Sequence, residues 1–389
     1  MQNDPNKLIV NLIQKEFYNE EIAFSLSKER KEKRWNIHSR ITRKVKTSYG
    51  ILLLEKIKYR DKNRKIRYFD NPVFKIPKYK NICEDLENKV FMLKLDGVSN
   101  RSIAQNHLNK AITRQYVSTI LNSRKVENKV NFTAENIIHK NILYVEVDDT
   151  FSYFRDKNNK IVKHRLRTIV CHTGKDEFNN LTNKTVIIQD TIVDKNNSSL
   201  HELYFKIRSL IYKHYGDQIK QIIFYGDGAR YMKGLAKLLN STYILDLFHL
   251  TRKLFMLCGF SKYNTKNKAL FIDFLQQNKI TLYRFSKLLI IKGKWQQAIS
   301  LLEEEFAKRK DQISSTKIQE LKDFYKYLKS NETAIVNYEN EFNIGSHTEA
   351  FISHYVKKIC KRKFAIYGNE CFKNLLLMNI KNNENLIFI

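Results

Sequence analysis

The sequence predicts an α/β protein in which a mixed β-sheet is flanked by helices and interrupted by an all-helical insertion. Apolar runs of β type alternate with helix-like stretches between residues 142 and 250. Two of those runs end directly in an acidic residue, Asp227 and Asp246, as strands do at the carboxyl edge of an open sheet. Residues 251–340 show helical spacing, contain no proline and have only two glycines.

The charge of the chain is strongly positive. Lys and Arg number 70 against 40 Asp and Glu, which gives a formal net charge of +30. Hydrophobic residues make up 42% of the chain, as in a globular protein. Codon bias in an AT-rich gene would raise the Lys count, but it does not account for so large an excess over acids. We therefore expect a polyanionic partner, namely nucleic acid.

Cysteine usage and the N-terminus predict a cytoplasmic location. The five cysteines are widely spaced and include no CxxC pair, which argues against a disulfide framework or a zinc site. The first residues are polar, unlike a signal peptide, and no apolar run approaches the length of a membrane span. We expect a protein of the reducing cytoplasm that associates with the nucleoid and not with a membrane.

The N-terminal region, residues 1–80, predicts a basic helical arm followed by a β-hairpin. Residues 6–27 carry apolar positions at helical spacing, and residues 28–46 are rich in Lys and Arg, including Arg43 and Lys44. The basic run is either a solvated helix face or a patch that contacts phosphates. Residues 43–70 have the alternation and the turn residues of a hairpin.

Residues 81–127 predict a helix-turn-helix. A first helix, a turn at residues 96–99 and a second helix at residues 113–121 are spaced as in that motif, with Ser99 and Thr113 as N-caps. The start of the second helix would present Arg114, Gln115 and Ser118 to base edges. An ordinary helical hairpin is the alternative interpretation. Residues 128–141 are polar and predict a linker.

The strand predicted at residues 142–151 carries acids where an ordinary buried strand would not. Glu146, Asp148 and Asp149 interrupt its apolar run. If the strand alternates, Glu146 and Asp148 share one face and Asp149 takes the other.

The elements that follow are two β-type runs, a helix, the strand ending at Asp227, a helix, and the strand ending at Asp246. The order β-β-β-α-β-α-β is that of a ribonuclease-H-like sheet, in which the first and fourth strands are neighbours. Asp148 and Asp227 would then lie side by side. The alternative for Asp227 is an Asp-Gly turn whose carboxylate only caps the next helix.

A loop at residues 343–347 leads into a helix with Glu349 in its first turn and Ser346 as the expected cap. The boundaries that result are 1–80 for the arm and hairpin, 81–127 for the helix-turn-helix, 142–250 for the first part of the core, 251–340 for the helical insertion, and 341–389 for the rest of the core.

Asp148, Asp227 and Glu349 form a candidate carboxylate triad for phosphodiester chemistry. Such chemistry uses hard cations that activate an attacking oxygen and stabilise the leaving one, and carboxylates hold Mg²⁺ or Mn²⁺ for this purpose. Each acid alone could equally be a solvated or capping residue. Glu146 and Asp149 are alternates to Asp148. Asp246 and His249 are accessory candidates, and a histidine at the start of a helix is as often purely structural.

Four motifs together resemble a known family: residues 145–148, 225–228, 245–249 and 345–354. They resemble the bacterial insertion-sequence transposases of the ISLre type, long described as an uncharacterised family and distantly related to Mutator-like DDE transposases. The resemblance implies a ribonuclease-H-like core with a helical insertion, Mg²⁺-dependent DNA cleavage and strand transfer, and binding of element ends by the N-terminal part. It assigns the triad to Asp148, Asp227 and Glu349.

We therefore predict a DNA transposase that acts on double-stranded DNA, both element ends and target. Because two ends must be joined, we expect a homodimer or a higher assembly on DNA. Two alternatives stay open: a ribonuclease-H-like nuclease or resolvase without strand transfer, and a decayed, non-catalytic DNA-binding copy. The decayed copy is considered because residues 331–333 and 362–367 depart from the family pattern.

Overall fold

The computed structural model describes residues 5–78, 80–108, 111–132, 141–193, 199–362, 366–380 and 384–389. It is a mixed α/β structure with two compact units. The first unit comprises Met1–Val126 and Gly368–Asn379, and the second comprises Glu127–Tyr367 and Ile380–Ile389.

The helices and strands up to residue 126 are α1 (Pro5–Leu26), α2 (Lys28–Glu32), β1 (Asn36–Thr47), β2 (Gly50–Arg60), β3 (Ile66–Tyr68), α3 (Glu84–Leu95), α4 (Asn100–Ser102) with a π turn at Ile103–His107, and α5 (Arg114–Ser123). Then follow β4 (Ile142–Arg155), β5 (Ile161–His172), β6 (Thr185–Ile192), α6 (Leu200–Tyr215), β7 (Gln221–Gly226), α7 (Arg230–Leu238) and β8 (Thr242–Leu245).

The remaining elements are mostly helical. They are α8 (Leu247–Cys258), α9 (Lys268–Asn278), α10 (Leu282–Ile291), α11 (Trp295–Ala307), α12 (Ser315–Ser330), α13 (Glu332–Val336) with a 3₁₀ turn at Asn337–Glu339, α14 (Thr348–Phe351) with a π turn at Ile352–Lys357, α15 (Lys358–Cys360), α16 (Asn369–Asn379) and the strand β9 (Asn385–Phe388).

In the first unit, α1 packs on an antiparallel sheet of order β1-β2-β3. Phe17 of α1 meets Val45, Leu52 and Leu54 of the sheet in a buried cluster. The turn of residues 61–64 joins β2 to β3, as the hairpin pattern predicts. The basic run differs from expectation, because most of it is the strand β1 and only residues 28–32 are helical. Of the two interpretations of the basic run, a solvated helix face therefore holds only for residues 28–32.

Helices α4 and α5 begin at the two predicted N-caps. Ser99 accepts a hydrogen bond from the backbone N–H of Ser102, and Thr113 accepts one from Tyr116. Helix α16 belongs to this unit, where Asn374 donates to the carbonyl of Leu121 over 2.8 Å. The boundaries drawn from sequence place residues 368–379 with the core instead.

The sheet of the second unit has six strands in the order β8-β7-β4-β5-β6-β9. Strands β4, β5 and β6 are antiparallel neighbours, whereas β7 runs parallel to β4, β8 to β7, and β9 to β6. In the predicted linker, Lys129 and Asn131 hydrogen-bond to β9, and residues 133–140 lie outside the described residues.

The two faces of β4 pack against different partners. Leu143, Val145 and Val147 join a core with residues of α6 and α7. Ile142 and Tyr144 face the opposite side, toward the segment that contains Tyr338 and Phe342. The alternation therefore directs Glu146 and Asp148 away from α6 and α7.

The helices α8 to α13, which lie between β8 and α14 in the sequence, pack around a hydrophobic core of their own. Leu254, Phe271, Trp295 and Leu328 are among its buried members. Among the helices in the described part of the chain, none is long and apolar enough to cross a membrane.

Candidate functional site

Asp148 lies near the middle of β4 with 6% of its surface exposed. Burial raises the pKa of its carboxyl to about 6, and the negative charge of Glu349 acts in the same direction. The positive charges of His249 and Lys357 oppose this rise. The Asp148 carboxyl is therefore mostly buried, but it lies close enough to Glu349, His249 and Lys357 to feel their charges.

Asp227 follows the last residue of β7, which is the parallel neighbour of β4. The ladder pairs Glu146 with Tyr225, so the same register continued by two residues sets Asp148 level with Asp227. The Oδ1 atom of Asp227 accepts a hydrogen bond from the backbone N–H of Ala229 over 2.8 Å. Its carboxylate thus stabilises the turn into α7.

Gly228 is required in this turn. Its φ is +93°, and a Cβ atom there would lie 2.9 Å from the side chain of Asn331. The Tyr327 hydroxyl donates to the backbone carbonyl of Asp227 over 3.0 Å. The end of α12 is therefore packed directly on the loop that carries Asp227.

His249 lies in the first turn of α8 and is oriented by the residue that caps that helix. One carboxylate oxygen of Asp246 accepts from the backbone N–H of Phe248, and the other lies 2.6 Å from Nδ1 of His249. Because Nδ1 is engaged, Nε2 is the ring nitrogen left for a ligand. Burial lowers the pKa of His249, but the hydrogen bond to Asp246 and the charges of Asp148 and Asp227 outweigh it and raise the pKa.

Glu349 lies in the first turn of α14 and is bound by residues that follow it. Lys357 Nζ lies 2.8 and 3.0 Å from its two carboxylate oxygens, and the Ser353 hydroxyl donates to it over 3.2 Å. In a regular α-helix the eighth residue after Glu349 would point about 80° away from it. Lys357 is the last residue of the π turn at Ile352–Lys357, which changes this angle, so the sequence spacing gives no signal for the contact.

Asp148, His249 and Glu349 meet in one group. One ligand atom from each lies within 4.8 Å of the other two, so the three could hold a metal ion. The structure thus brings together two members of the predicted triad and an accessory candidate. Asp227, the third member of the predicted triad, is not among the described residues that meet this distance condition.

The donor set of this group fits a divalent cation. Two carboxylates supply hard oxygen ligands, which Mg²⁺ and Mn²⁺ accept, and an imidazole nitrogen suits Mn²⁺ better than Mg²⁺. The pair Asp246–His249 has the arrangement in which a carboxylate orients a metal-binding histidine. The chemistry of the residues therefore fits a divalent cation that accepts both oxygen and nitrogen ligands.

Asp149, one of the alternates to Asp148, is engaged on the other face of β4. Its carboxylate receives two hydrogen bonds from the Arg167 guanidinium, at 3.0 and 3.2 Å. Arg167 in turn stacks on the ring of Tyr231, 3.6 Å from its centroid. The ion pair with Arg167 therefore explains the presence of a carboxylate at residue 149 without a role in metal binding.

The residues predicted to bind DNA lie in the first unit. Arg114 and Gln115 are exposed at the start of α5, and Ser118 is half-buried one turn later. These three line a shallow cleft together with Asn100, Thr113, Thr119, Asn122 and Ser123. On β1, Lys44 is exposed, whereas Arg43 is half-buried and donates to the carbonyl of Lys80. The side chains that line the cleft are polar, and Arg114 is the positively charged residue among them.

Comparison with known proteins gives one family match. A family model described as Uncharacterised protein family (UPF0236) matches residues 6–271, which include Asp148, Asp227 and His249 and stop short of Glu349. A search of curated proteins found no match.

Proposed function

The chain belongs to the uncharacterised protein family UPF0236, and we propose that it is the DNA transposase of an insertion sequence, which binds element ends and catalyses metal-dependent phosphodiester hydrolysis and strand transfer. The observation that carries the proposal is the meeting of Asp148, His249 and Glu349 in one group. Asp148 and Glu349 are 201 positions apart (349 − 148). Acids that meet across such a distance in a partly buried setting are frequent at functional sites, and this observation supports the proposal.

The fold supports this chemistry. The strand order β8-β7-β4-β5-β6, with β4 to β6 antiparallel and β7 and β8 parallel to β4, agrees with the ribonuclease-H-like arrangement expected from the sequence. The helices between β8 and α14 correspond to the expected insertion before the Glu. Both features were implied by the resemblance to ISLre-type transposases.

Each residue of the group has a distinct part in the proposed reaction. Asp148 and Glu349 supply the carboxylates, and His249, oriented by Asp246, supplies a nitrogen ligand. Bound Mg²⁺ or Mn²⁺ would activate an attacking oxygen and stabilise the leaving oxygen of a phosphodiester. Asp227 lies level with Asp148, and its charge acts on His249. That negative charge would attract the cation without making Asp227 one of the three ligands.

Lys357 would bind the phosphate next to the scissile bond. Its ammonium group pairs with Glu349 in the protein alone, and its charge acts on Asp148. When a cation neutralises the carboxylates, that ammonium group is free to contact a phosphate oxygen. A lysine held beside a metal group is therefore consistent with a polyanionic substrate.

Charge and surface support DNA as that substrate. A formal charge of +30 favours binding to a polyanion. The cleft beside α5 presents Arg114, Gln115 and Ser118, side chains of the kind that hydrogen-bond to base edges. We propose that the first unit recognises element ends and that the protein acts as a dimer or larger assembly, since two ends must be joined.

The decisive experiment uses a labelled duplex that carries the element's own end, with Mg²⁺ or Mn²⁺. The wild type is compared with Glu349→Gln and with Asp323→Asn, a control that removes an exposed carboxylate of α12. We expect a metal-dependent nick at the element end that Glu349→Gln abolishes and Asp323→Asn leaves unchanged. Binding without cleavage by the wild type would instead favour the non-catalytic DNA-binding alternative.

The group of Asp148, His249 and Glu349 is equally compatible with a nuclease or resolvase that does not transfer strands. A second, unlabelled target duplex in the same reaction separates the two activities. Labelled product joined to the target supports the transposase, whereas nicked ends that are never joined support the nuclease.

A further inference from the structure

Glu146 is a fully buried carboxylate on the same strand and the same face as Asp148. None of its surface is exposed. Its Oε1 lies 3.1 Å from Nε2 of His172, which is also fully buried. Its Oε2 accepts from the backbone N–H of His347 over 2.7 Å and from the Ser346 hydroxyl over 3.2 Å. Glu146 therefore links β4, β5 and the segment just before α14.

The segment that Glu146 holds leads directly to Glu349. Just upstream, the Tyr225 hydroxyl accepts from the backbone N–H of Ile344 and donates to the Asn343 side chain. Lys175 donates to the carbonyl of Ile344 over 2.7 Å. Of these contacts, those to Glu146 lie nearest to Glu349 along the chain, since His347 is only two residues before it.

Burying the Glu146 carboxylate costs free energy of folding, and packing alone does not explain why a charged residue occupies this position. A buried charge destabilises a fold unless it is hydrogen-bonded, and an apolar side chain of similar size is often at least as stable in its place. The polar contacts of Glu146 do, however, specify one arrangement of the strand and the segment at residues 346–347. Its oxygens are engaged by donors, so it is poorly placed to act as a further metal ligand.

We infer that Glu146 is a positioning residue that sets Glu349 opposite Asp148 by fastening residues 346–347 to the strand that carries Asp148. The inference rests on the proposed function, since it assigns Glu146 a role in building the metal group. The strand β4 then positions both carboxylates, Asp148 directly and Glu349 through Glu146. Residues that orient metal ligands commonly contribute about 10- to 100-fold in metal affinity.

The test measures Mn²⁺ affinity of the full chain by titration, with thermal unfolding in metal-free buffer as a second reading. Glu146→Leu removes every polar contact and keeps an apolar side chain of similar size. We expect it to bind Mn²⁺ about 10- to 100-fold more weakly than the wild type. Glu146→Gln keeps an acceptor for His347 and should lose less affinity.

Thr150→Val is the matched control. Thr150 lies on β4 two residues beyond Asp148, is buried, and has a hydroxyl without a hydrogen-bond partner among the described residues. The change keeps the shape of the side chain, so Mn²⁺ affinity should stay that of the wild type. If Glu146→Leu does not fold, the comparison of Glu146→Gln with Thr150→Val decides.

A double variant separates positioning from a general loss of structure. If Glu146 acts through Glu349, adding Glu146→Leu to Glu349→Gln should weaken Mn²⁺ binding little further. Additive losses, or Glu146 variants that bind Mn²⁺ as tightly as Thr150→Val, would overturn the inference. A wild type that binds no Mn²⁺ would instead overturn the proposed metal centre itself.

Discussion

The register of β4 and its parallel neighbour β7, continued two residues beyond the last pair Glu146–Tyr225, sets Asp148 level with Asp227, although 79 positions separate them (227 − 148). Neighbouring strands are about 4.8 Å apart, so the backbones bring these acids close. Their carboxylates have different surroundings, however. Asp148 meets His249 and Glu349, whereas Asp227 accepts a hydrogen bond from its own turn.

This difference predicts unequal effects of removing the two charges. Asp148→Asn should weaken Mn²⁺ binding by about 100-fold or more, because it removes a ligand. Asp227→Asn should weaken it by only about tenfold, because it removes a nearby negative charge but no ligand. Mn²⁺ titration of both variants measures this. An equal loss for both would place Asp227 among the ligands, as the sequence-based triad has it.

Metal binding should weaken in acid. The pKa of Asp148 is raised to about 6 and that of His249 is raised, so protons compete with the cation for both groups. Below about pH 6 the Mn²⁺ dissociation constant should increase by about tenfold or more for each pH unit. Titrations at several pH values give the slope. A constant affinity from pH 7 to pH 5 would contradict a site that contains Asp148.

The metal-free protein should gain stability when Asp148 loses its charge. The folded-state pKa of about 6 lies above the unfolded value, so the folded state binds the proton more tightly. The resulting penalty is absent below about pH 4 and complete above about pH 6, where it is on the order of 2–3 kcal/mol. Asp148→Asn should therefore unfold at a higher temperature than the wild type at pH 7.5, with EDTA present.

The same comparison at pH 4 provides the control, because the wild-type carboxyl is then protonated in both states. The two proteins should have similar unfolding temperatures there. A difference that does not change with pH would mean that the substitution acts through packing and not through the charge.

Lys357→Met should separate metal binding from DNA cleavage. Removing a positive charge that lies 2.8 Å from Glu349 should tighten Mn²⁺ binding several-fold, because like charges no longer compete. Cleavage should fall by about 10- to 100-fold if Lys357 contacts a phosphate. Lys358→Met, which changes an exposed neighbour, is the matched control. Weaker Mn²⁺ binding by Lys357→Met would show instead that the lysine only supports the fold.

Arg114 and Lys44 should contribute to DNA binding in different ways. Arg114→Ala should cost about 1–3 kcal/mol on the element end and relax sequence preference, since it removes a base-edge contact. Lys44→Ala should weaken binding to all duplexes alike and reduce the salt dependence. Competition titrations with element-end and unrelated duplexes at several salt concentrations distinguish them. Equal losses on both duplexes for Arg114→Ala would contradict a recognition role for α5.

The sequence predicts best those features that local chemistry determines. Apolar runs, capping residues and turn glycines locate β4, β7 and α5, and the strand alternation assigns Glu146 and Asp148 to one face. The predicted hairpin includes residues 43–47 of β1 but not residues 36–42, because the basic residues there show no apolar alternation and their pairing with β2 is a tertiary property. The place of α16 depends on a contact with α5 about 250 residues earlier, which no local pattern encodes.

The metal group shows the same limit. Asp148, on β4, and Glu349, in the first turn of α14, were predictable as candidates, but the choice between Asp227 and His249 depends on side-chain direction. Asp227 turns toward its own loop, and the cap residue Asp246 directs His249 into the group. Lys357 depends on a π turn, for which the sequence offers no spacing signal.

The separation of Asp148 from Glu349 also has a consequence for synthesis on the ribosome. The strand with Asp148 and the helix with His249 emerge long before Glu349, the last member of the group. A nascent chain thus exposes its basic N-terminal residues while its metal centre still lacks one of two carboxylates. Under the proposed function, translation that stops before residue 349 yields a protein that has no means to cut DNA and that also lacks α16, the helix that packs on α5 in the first unit.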